Sequence, residues 1–583
     1  MDHGSAPFGH LSRQQKVFTM LGSLLGMLLA ALDQTVVATA GPAIQRDLQI
    51  DPSLYVWITT SYLVASTLLL PIYGKLSDLF GRRTILLVGI GIFLLGSLLC
   101  GISQNTVQLI AFRAVQGMGS AALFTTAFAV VADIFTPTER GKYQGIFGGV
   151  FGIASVLGPL VGGFITDLWG WHWVFFINLP IGAVAVTFIL AKMPALRRPP
   201  TGARPPMDLA GASLLAVFVV PLLLALSLGK TRIDPRPTGY QWDSLQILGL
   251  LAVAGIGLVG FLWAERRAAD PILDLGLFRN RSFALNNLAT FILGGTFLGA
   301  IVFLPLFMVN VVGLSATASG LTTTPLTMGI VFGNVFVGEL VSRLGRYKAV
   351  LIGSELILLI SLAVMGFTLR PDSTQTEVTL MMILVGLGLG PSIPLFTLAI
   401  QSTVAPLQIG VATSTATFSR QLGSTVGLAL MGTVFATALS SGMTQGLEPV
   451  MQKVPPALRS QLGALLTPGA APDGESGAGI DPQQLRQQVV EGFDQRVAAL
   501  TSQLRDVPRE DPRWRAVERI ESARAPALLL MDEAAAAMKV AFTHGVRRIY
   551  QVSLLIALLG LALTLLAPEI PLREGTPRPP VAE

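Results

Sequence analysis

The stretch Gly74-Lys75-Leu76-Ser77-Asp78-Leu79-Phe80-Gly81-Arg82-Arg83 has a counterpart at Gly338-Glu339-Leu340-Val341-Ser342-Arg343-Leu344-Gly345-Arg346-Tyr347. Gly, Leu, Gly and Arg recur at a constant offset of 264 residues. Each copy is a short polar interruption between two apolar runs of about twenty residues, the length that crosses a hydrocarbon core as a helix. Counting runs outward from the two copies, the first joins helices 2 and 3 and the second joins helices 10 and 11. An offset of eight helices reads as two six-helix halves with two further helices inserted between them. Paired helical halves with a site between them are a transporter plan in which one half rocks against the other.

The apolar runs fall near 17–40, 55–74, 84–102, 106–131, 143–166, 173–192, 208–229, 244–264, 284–311, 317–340, 349–369, 377–401, 412–437 and 548–567. This predicts an all-α polytopic membrane protein with fourteen spans. The first run has a basic start at Arg13 and Lys16, as a cleaved leader would, but its length, its internal Asp33 and the spans behind it read as a first helix. Composition agrees. The chain of 583 residues is 52% hydrophobic and 13% charged, whereas a soluble domain carries about 25% charged residues. With that much apolar surface, lipid is the solvent, and backbone groups inside it must pair within helices or a closed barrel.

The basic residues orient the chain. Lys75, Arg82 and Arg83, then Arg197, Arg198 and Arg204, then Arg266, Arg267, Arg279 and Arg281, then Arg343, Arg346 and Lys348 all fall in loops on the same side as the N-terminus. Short loops on the other side carry only Arg46, Lys230, Arg232, Arg236 and Arg370. The positive-inside rule then makes both termini cytoplasmic. The expected organisation is a six-helix half over 1–192, a linker with two extra helices over 193–283, the first five helices of the second half over 284–437, an extracytoplasmic segment over 438–547, and a last helix with a cytoplasmic tail over 548–583. Within 438–547 the apolar spacing at Leu485, Val489, Phe493, Val497, Leu500 and Leu504 is helical, which predicts amphipathic helices.

Several function classes find no support. The single cysteine, Cys100, permits no disulfide within the chain, and His3, His10, His172 and His544 have no metal-binding spacing. No HExxH, Gly-x-Ser-x-Gly or Walker loop appears, and Gly89-Ile90-Gly91 and Gly386-Leu387-Gly388-Leu389-Gly390 lie inside apolar runs without the strand–turn–helix setting of a dinucleotide site. No cofactor and no nucleic-acid partner is expected. A proton gradient is the expected energy source and membrane lipids the expected surroundings.

Embedded polar residues mark the chemistry. Gly22, Gly26, Ala30, Asp33 and Val37 share one face of helix 1, so Asp33 should point into the bundle. A charge at the bilayer centre costs about 2.5–3.5 kcal/mol on insertion scales, and such a residue is functional by default. Carboxyls taken out of water bind protons more readily, which suits proton coupling. Arg113 shares a face with Gln116, Gly117 and Ser120, Arg420 shares one with Thr413, Thr417, Ser424 and Gly427, and Glu355 is a second embedded acid. Two acids and two arginines balance when all are charged, so protonation of Asp33 would bias the equilibrium between the halves. Arg113 would tune Asp33, and Arg420 would couple the second half. Ala154, Gly158 and Gly162 lie four apart, a small-residue face for close helix packing, and Pro159 removes a backbone donor beside it. Gln34, Tyr62, Gln116, Asn287, Phe291, Asn310 and Phe396 are candidates to line a substrate cavity.

These segments resemble a known family. Gly74 to Arg83 is similar to the loop signature of the major facilitator superfamily, and Arg113-Ala114-Val115-Gln116-Gly117-Met118-Gly119 to its helix 4 signature. Gly158-Pro159-Leu160-Val161-Gly162-Gly163 resembles the helix 5 signature of its antiporters. Leu32-Asp33-Gln34-Thr35-Val36-Val37 and the run from Trp171 to Pro180 resemble the fourteen-helix drug:proton antiporters of the EmrB/QacA type. The departures are Gly41-Pro42 where the helix 1 motif ends in Leu-Pro, Ala154 in place of a helix 5 glycine, and Ser342 in place of the acid in the second loop copy. The resemblance implies a proton-coupled exporter of amphipathic compounds in a cell inner membrane. It also implies a latch in which Gly74, Asp78, Gly81, Arg82 and Arg83 act with Asp133, Asp78 facing a helix N-terminus of the other half and Arg82 pairing with Asp133. Export of lipid or another envelope component is the alternative, with the 438–547 segment as an arm that meets a periplasmic adaptor or lipid carrier. A non-transporting sensor on the same scaffold is a third reading.

Overall fold

The computed structural model describes Phe8 and residues 11–50, 52–196, 207–230, 239–314, 316–453, 482–504, 508, 511–512 and 514–570. The fold is helical. The first half comprises α1 (Arg13–Asp47), α2 (Pro52–Phe80), α3 (Arg82–Gly101), α4 (Thr106–Ile134), α5 (Pro137–Trp169), and the short α6 (His172–Phe176) continued by α7 (Asn178–Lys192). Next comes the hairpin of α8 (Leu209–Leu228) and α9 (Leu245–Arg267), its turn closed by a two-residue parallel pairing of β1 (Gly229–Lys230) with β2 (Tyr240–Gln241). The second half comprises α10 (Arg281–Phe307), α11 (Ala316–Leu344), α12 (Lys348–Thr368), α13 (Gln375–Leu389), α14 (Ser392–Gln401) and α15 (Ile409–Lys453). After α16 (Pro482–Gln503), α17 (Trp514–Leu566) completes it.

Local sequence explains where several helices begin. Ser12 and Gln15 cap α1 reciprocally, as Thr136 and Glu139 do for α5 and Thr374 and Glu377 for α13, satisfying N-terminal donors that the helix itself leaves open. Thirteen helices among the described residues are long and apolar enough to cross a membrane. α10, with 27 residues, runs through the ninth predicted span. Large apolar side chains such as Ile256, Val259, Phe164 and Phe336 stand more than half exposed on the outside of the bundle, as lipid-facing residues do and water-facing ones rarely do. Inside, separate apolar cores fill the two halves, one around Leu86, Phe93 and Phe128, the other around Phe307, Leu362 and Tyr550.

The two loop copies share a backbone conformation as well as a sequence. Gly81 and Gly345, at matching positions, both take positive φ, 91° and 65°, a region that favours glycine. Gly74 and Gly338, also matched, both sit where one half meets the other. A Cβ on Gly74 would lie 2.1 Å from Ser414 Oγ of α15, and one on Gly338 would lie 2.5 Å from the Gly141 carbonyl of α5. The halves therefore pack through α2 against α15 and α11 against α5, closed on the side of the loop copies. The inserted α8–α9 pair straddles that seam: Leu215, Val219 and Phe261 pack with Val64 and Leu68 of α2 and with Phe418 and Leu422 of α15.

The boundaries expected at 437/438 and 547/548 are not breaks in the fold. α15 runs on to Lys453 and α17 starts at Trp514. At 1.5 Å per residue the 53 residues of α17 span about 80 Å, far more than a hydrocarbon core of about 30 Å. The extensions pack against each other through Leu439, Met443 and Val450 on one side and Ala534, Met538 and Ala541 on the other. Gly442 and Gly446 lie at the closest approach, facing Ala541 and Ala537. A falling hydropathy ends a predicted span, but a small-residue seam carries the helices past that point. Of the amphipathic helices expected beyond, α16 is present, and Arg486 and Arg524 form ion pairs between α16 and α17 with Asp532 and Asp494. The Gly- and Ala-rich stretch from Pro468 to Pro482, which its composition marks as a flexible hinge, lies outside the described residues except for Pro482 at the start of α16.

Candidate functional site

Asp33 is buried in α1 and sits in a complete polar shell. Arg113 Nη1 of α4 donates to Asp33 Oδ2 at 2.7 Å, and Gln116 Nε2 and Asn178 Nδ2 donate to Oδ1 at 2.7 and 3.0 Å. Arg113 Nη1 also donates to Gln116 Oε1 at 2.7 Å, which fixes the orientation of that amide. Arg113 Nε reaches the Ile58 carbonyl at 3.3 Å, and the Tyr62 ring lies 4.3 Å from the guanidinium carbon. The Tyr62 hydroxyl is 2.6 Å from Ser120 Oγ. Asn178 Nδ2 donates also to Ser97 Oγ, whose hydroxyl donates to the Phe175 carbonyl.

Helix geometry builds this shell. Gly22 meets Ile189 of α7, and Gly26 meets Leu86 of α3, so the small-residue face of α1 turns inward and carries Asp33 with it. Asn178 begins α7 just after the α6–α7 break. Asn178 stands in the run quoted above for its resemblance, yet nothing in its spacing showed that it would reach Asp33.

α5 lies against α1 through the expected small-residue face. Cβ atoms on Gly158 and Gly162 would collide with Thr35 Oγ1 and Thr39 Oγ1, at 1.9 and 2.3 Å, and Thr35 Oγ1 donates to the Ala154 carbonyl. Pro159 lies within the helix. Gly163 is not part of this seam: one residue round the helix from Gly162, it faces open space.

The loop residues form a second cluster. Arg82 Nε donates to Asp133 Oδ2 at 2.8 Å, while Nη2 pairs with Asp78. The other carboxylate oxygen of Asp78 accepts the Val411 N–H at 3.2 Å, in the first turn of α15, where a negative charge is favoured by the helix dipole. Arg83 Nη2 donates to the Leu190 carbonyl. Lys75 pairs with Asp270, between α9 and α10. Among the described residues the second copy has nothing equivalent. Ser342 replaces the acid, and the cross-half contact is an exposed bridge from Glu339 to Lys142 at 3.2 Å. A buried contact that no motif showed also joins the halves: Gln144 Nε2 donates to Gln401 Oε1 at 2.8 Å, and Gln401 Nε2 donates to Thr413 Oγ1.

The second half does not repeat the charge pairing of the first. Glu355 accepts from Thr564 Oγ1 of α17 at 2.8 Å, and its second oxygen has no hydrogen-bond partner among the described residues. Arg420 of α15 is half-buried and lines a small cavity with Thr290, Leu293, Gly294, Leu389, Ser392, Ile393 and Phe396. No acid pairs with it among the described residues. The expected balance of two acids with two arginines thus holds as a contact only for Asp33 with Arg113, because Glu355 faces α17 and is not part of the cavity lining.

The residues proposed to line a cavity scatter. Phe396 does so. Tyr62 and Gln116 belong to the Asp33 shell, and Gln34 is half-buried beside it in α1. Asn287 is buried and donates to the Phe283 carbonyl. Phe291 packs on the α8–α9 core, and Asn310 is buried in the π-helical turn Met308–Val312 that ends α10. Polar or aromatic character inside a span does not distinguish a cavity wall from a helix seam.

A helical bundle of two halves, an acid–arginine pair buried in the first and a polar loop cluster between them fit a membrane transporter. The chain belongs to the Major Facilitator Superfamily, which it matches over residues 23–428, and is a multi-pass membrane transporter. It is 39% identical to the Multidrug transporter protein MdtP of Bacillus subtilis (strain 168), over 76% of this chain and 80% of that protein. It is 40% identical to Multidrug resistance protein 3 of the same organism, over 72% of this chain and 79% of that protein. The human organic anion transporter MFSD10 (TETRAN) shares the fold, with a TM-score of 0.53 and 16% identity over 73% of this chain and 95% of that one.

Proposed function

We propose that this chain is a proton-coupled antiporter that exports amphipathic small molecules by alternating access. In this reading it has fourteen spans of the EmrB/QacA arrangement, thirteen helices plus α10, with both termini cytoplasmic in a cell inner membrane. The observation that carries the proposal is the buried Asp33–Arg113 pair with its Gln116 and Asn178 donors. Protonating Asp33 removes the only anion on Arg113 among the described residues. The guanidinium then keeps two neutral acceptors, Gln116 Oε1 and the Ile58 carbonyl. A buried cation without its anion is costly, so α1, α4 and α7 gain a reason to rearrange. The α1–α5 seam conveys that to α5, which packs on α11 of the other half. The Asp78–Arg82–Asp133 cluster acts as the latch, holding the loop side shut until the halves rock.

Multidrug relatives support export, and the loop side is closed as an outward-facing state requires. The alternative of lipid export gains no support from the relatives, and Leu439, Met443 and Val450 of the α15 extension are spent on Ala534, Met538 and Ala541 of α17.

The test is proton movement in proteoliposomes under an imposed pH gradient, with a panel of amphipathic dyes, lipids added separately, and Asp33→Asn as control. Compound-dependent proton movement in the wild type that disappears in a folded Asp33→Asn protein is the expected result. Uphill transport that persists in Asp33→Asn sinks the assignment.

A further inference from the structure

We propose that the cavity around Arg420 takes the acidic group of the exported compound, so that the substrates include amphipathic organic anions such as aryl carboxylates, phenolates and sulfonates. This rests on the export reading above and names a substrate class for it.

Arg420 carries a permanent charge, yet its cavity is walled by Leu293, Leu389, Ile393 and Phe396. A charge among such walls is costly unless paired. Among the described residues Arg420 has no acid partner and no side-chain hydrogen bond, whereas the more deeply buried Arg113 has both. The acids that might have served are committed elsewhere: Asp33 to Arg113, Glu355 to Thr564. A second observation points the same way. Ser392, which lines the same cavity, has a buried hydroxyl without a hydrogen-bond partner among the described residues. The remaining wall hydroxyl, on Thr290, is already used on the Asn286 carbonyl. The cavity therefore presents a guanidinium and a spare hydroxyl as polar groups and apolar surface for the rest. Guanidinium binds a carboxylate or sulfonate through two parallel hydrogen bonds, and the small cavity has room for that acidic group, with the body of the compound outside it.

The backbone holds this arrangement firmly. A Cβ on Gly294 would lie 2.5 Å from the Arg420 carbonyl, and one on Gly427 would lie 2.1 Å from Gly295 Cα, so α10 and α15 are in backbone contact. Ser424 Oγ donates to the Gly294 carbonyl at 2.9 Å. The cavity also adjoins the other half, because Ile393 packs on the core of the first half. Rocking of the halves would alter access to Arg420 while leaving α10 and α15 fixed to each other.

The test uses the full chain in detergent and in proteoliposomes. Binding is measured by fluorescence for dansyl amino acids of increasing bulk, which are carboxylates, and for quaternary-ammonium dansyl amides of matched size. The expected result is that the carboxylates bind the wild type, lose at least tenfold in affinity in Arg420→Gln, and keep part of it in Arg420→Lys. Ser392→Ala should lose a few-fold, and the ammonium series should bind Arg420→Gln no worse than the wild type. Carboxylate affinity unchanged in folded Arg420→Gln overturns the proposal, as does tighter binding of the ammonium series to the wild type. If Arg420→Gln does not fold, Arg420→Lys and Ser392→Ala decide, and unchanged carboxylate affinity in both overturns it. Failure of the export reading looks different: Arg420-dependent binding would persist with no proton movement. Proton-coupled transport of the ammonium dyes that ignores Arg420 would leave export standing and remove this substrate class.

Discussion

The two halves handle an embedded arginine in opposite ways. In the first, Arg113 meets Asp33, Gln116, a backbone carbonyl and two aromatic rings. In the second, Arg420 meets an apolar cavity wall. The loop copies differ in the same direction. The first has a buried Arg82 held between Asp78 and Asp133, and the second has an exposed Glu339–Lys142 bridge. Duplicated architecture has thus been kept for packing, as matched Gly74 and Gly338 and matched Gly81 and Gly345 show, while the charges have diverged. A satisfied network suits a group whose own protonation does the switching. An unsatisfied one suits a group that waits for something from outside.

The largest expected effect compares the two arginines. Arg113→Met leaves Asp33 buried without its cation, a loss of about 3–5 kcal/mol for one partner of a buried pair, and the unfolding midpoint in detergent should fall steeply. Arg420→Met should leave the midpoint unchanged or raise it. Equal losses in the two variants would break the contrast.

A middle-sized effect concerns the seam shared by the copies. Gly338→Ala forces a Cβ against the Gly141 carbonyl, and overpacking costs about 1–3 kcal/mol. Gly149→Ala, on the opposing helix, meets nothing nearer than 3.7 Å. With Ser414→Cys as reporter in a Cys100→Ser background, thiol labelling should rise in Gly338→Ala and not in Gly149→Ala. Similar labelling in both would mean that the glycine seam does not hold the loop side closed.

The smallest effects separate the two loop contacts. Asp78→Ala strips a partner from Arg82 and the acceptor from the Val411 N–H, but Arg82 keeps Asp133, and a typical hydrogen bond is worth about 0.5–1.5 kcal/mol net. Labelling at Ser414→Cys should increase a few-fold. Lys142→Ala removes an exposed bridge and should change neither labelling nor the unfolding midpoint. A larger response to Lys142→Ala than to Asp78→Ala would reverse the ranking of the copies.

Much of this protein was legible from sequence. Twenty-residue apolar runs, a repeated glycine–arginine loop and an acid inside the first span are local signals, and lipid allows such runs few solutions. Asp33 could be placed inward because small residues share its helix face, and a close-packing face of α5 because Ala154, Gly158 and Gly162 recur every fourth residue, though not that α1 packs there. Tertiary structure alone decided the rest. The partners of Asp33 come from α4 and α7, and the Gln144–Gln401 bond joins residues 257 apart in the chain. The α15 and α17 extensions continue as helices because they pack on each other, which hydropathy along either strand of sequence does not record. Above all, four embedded charges were countable from the sequence, but which of them neutralise one another depends on distances of a few ångströms between helices. Those distances made Arg113 a paired residue and left Arg420 facing a cavity.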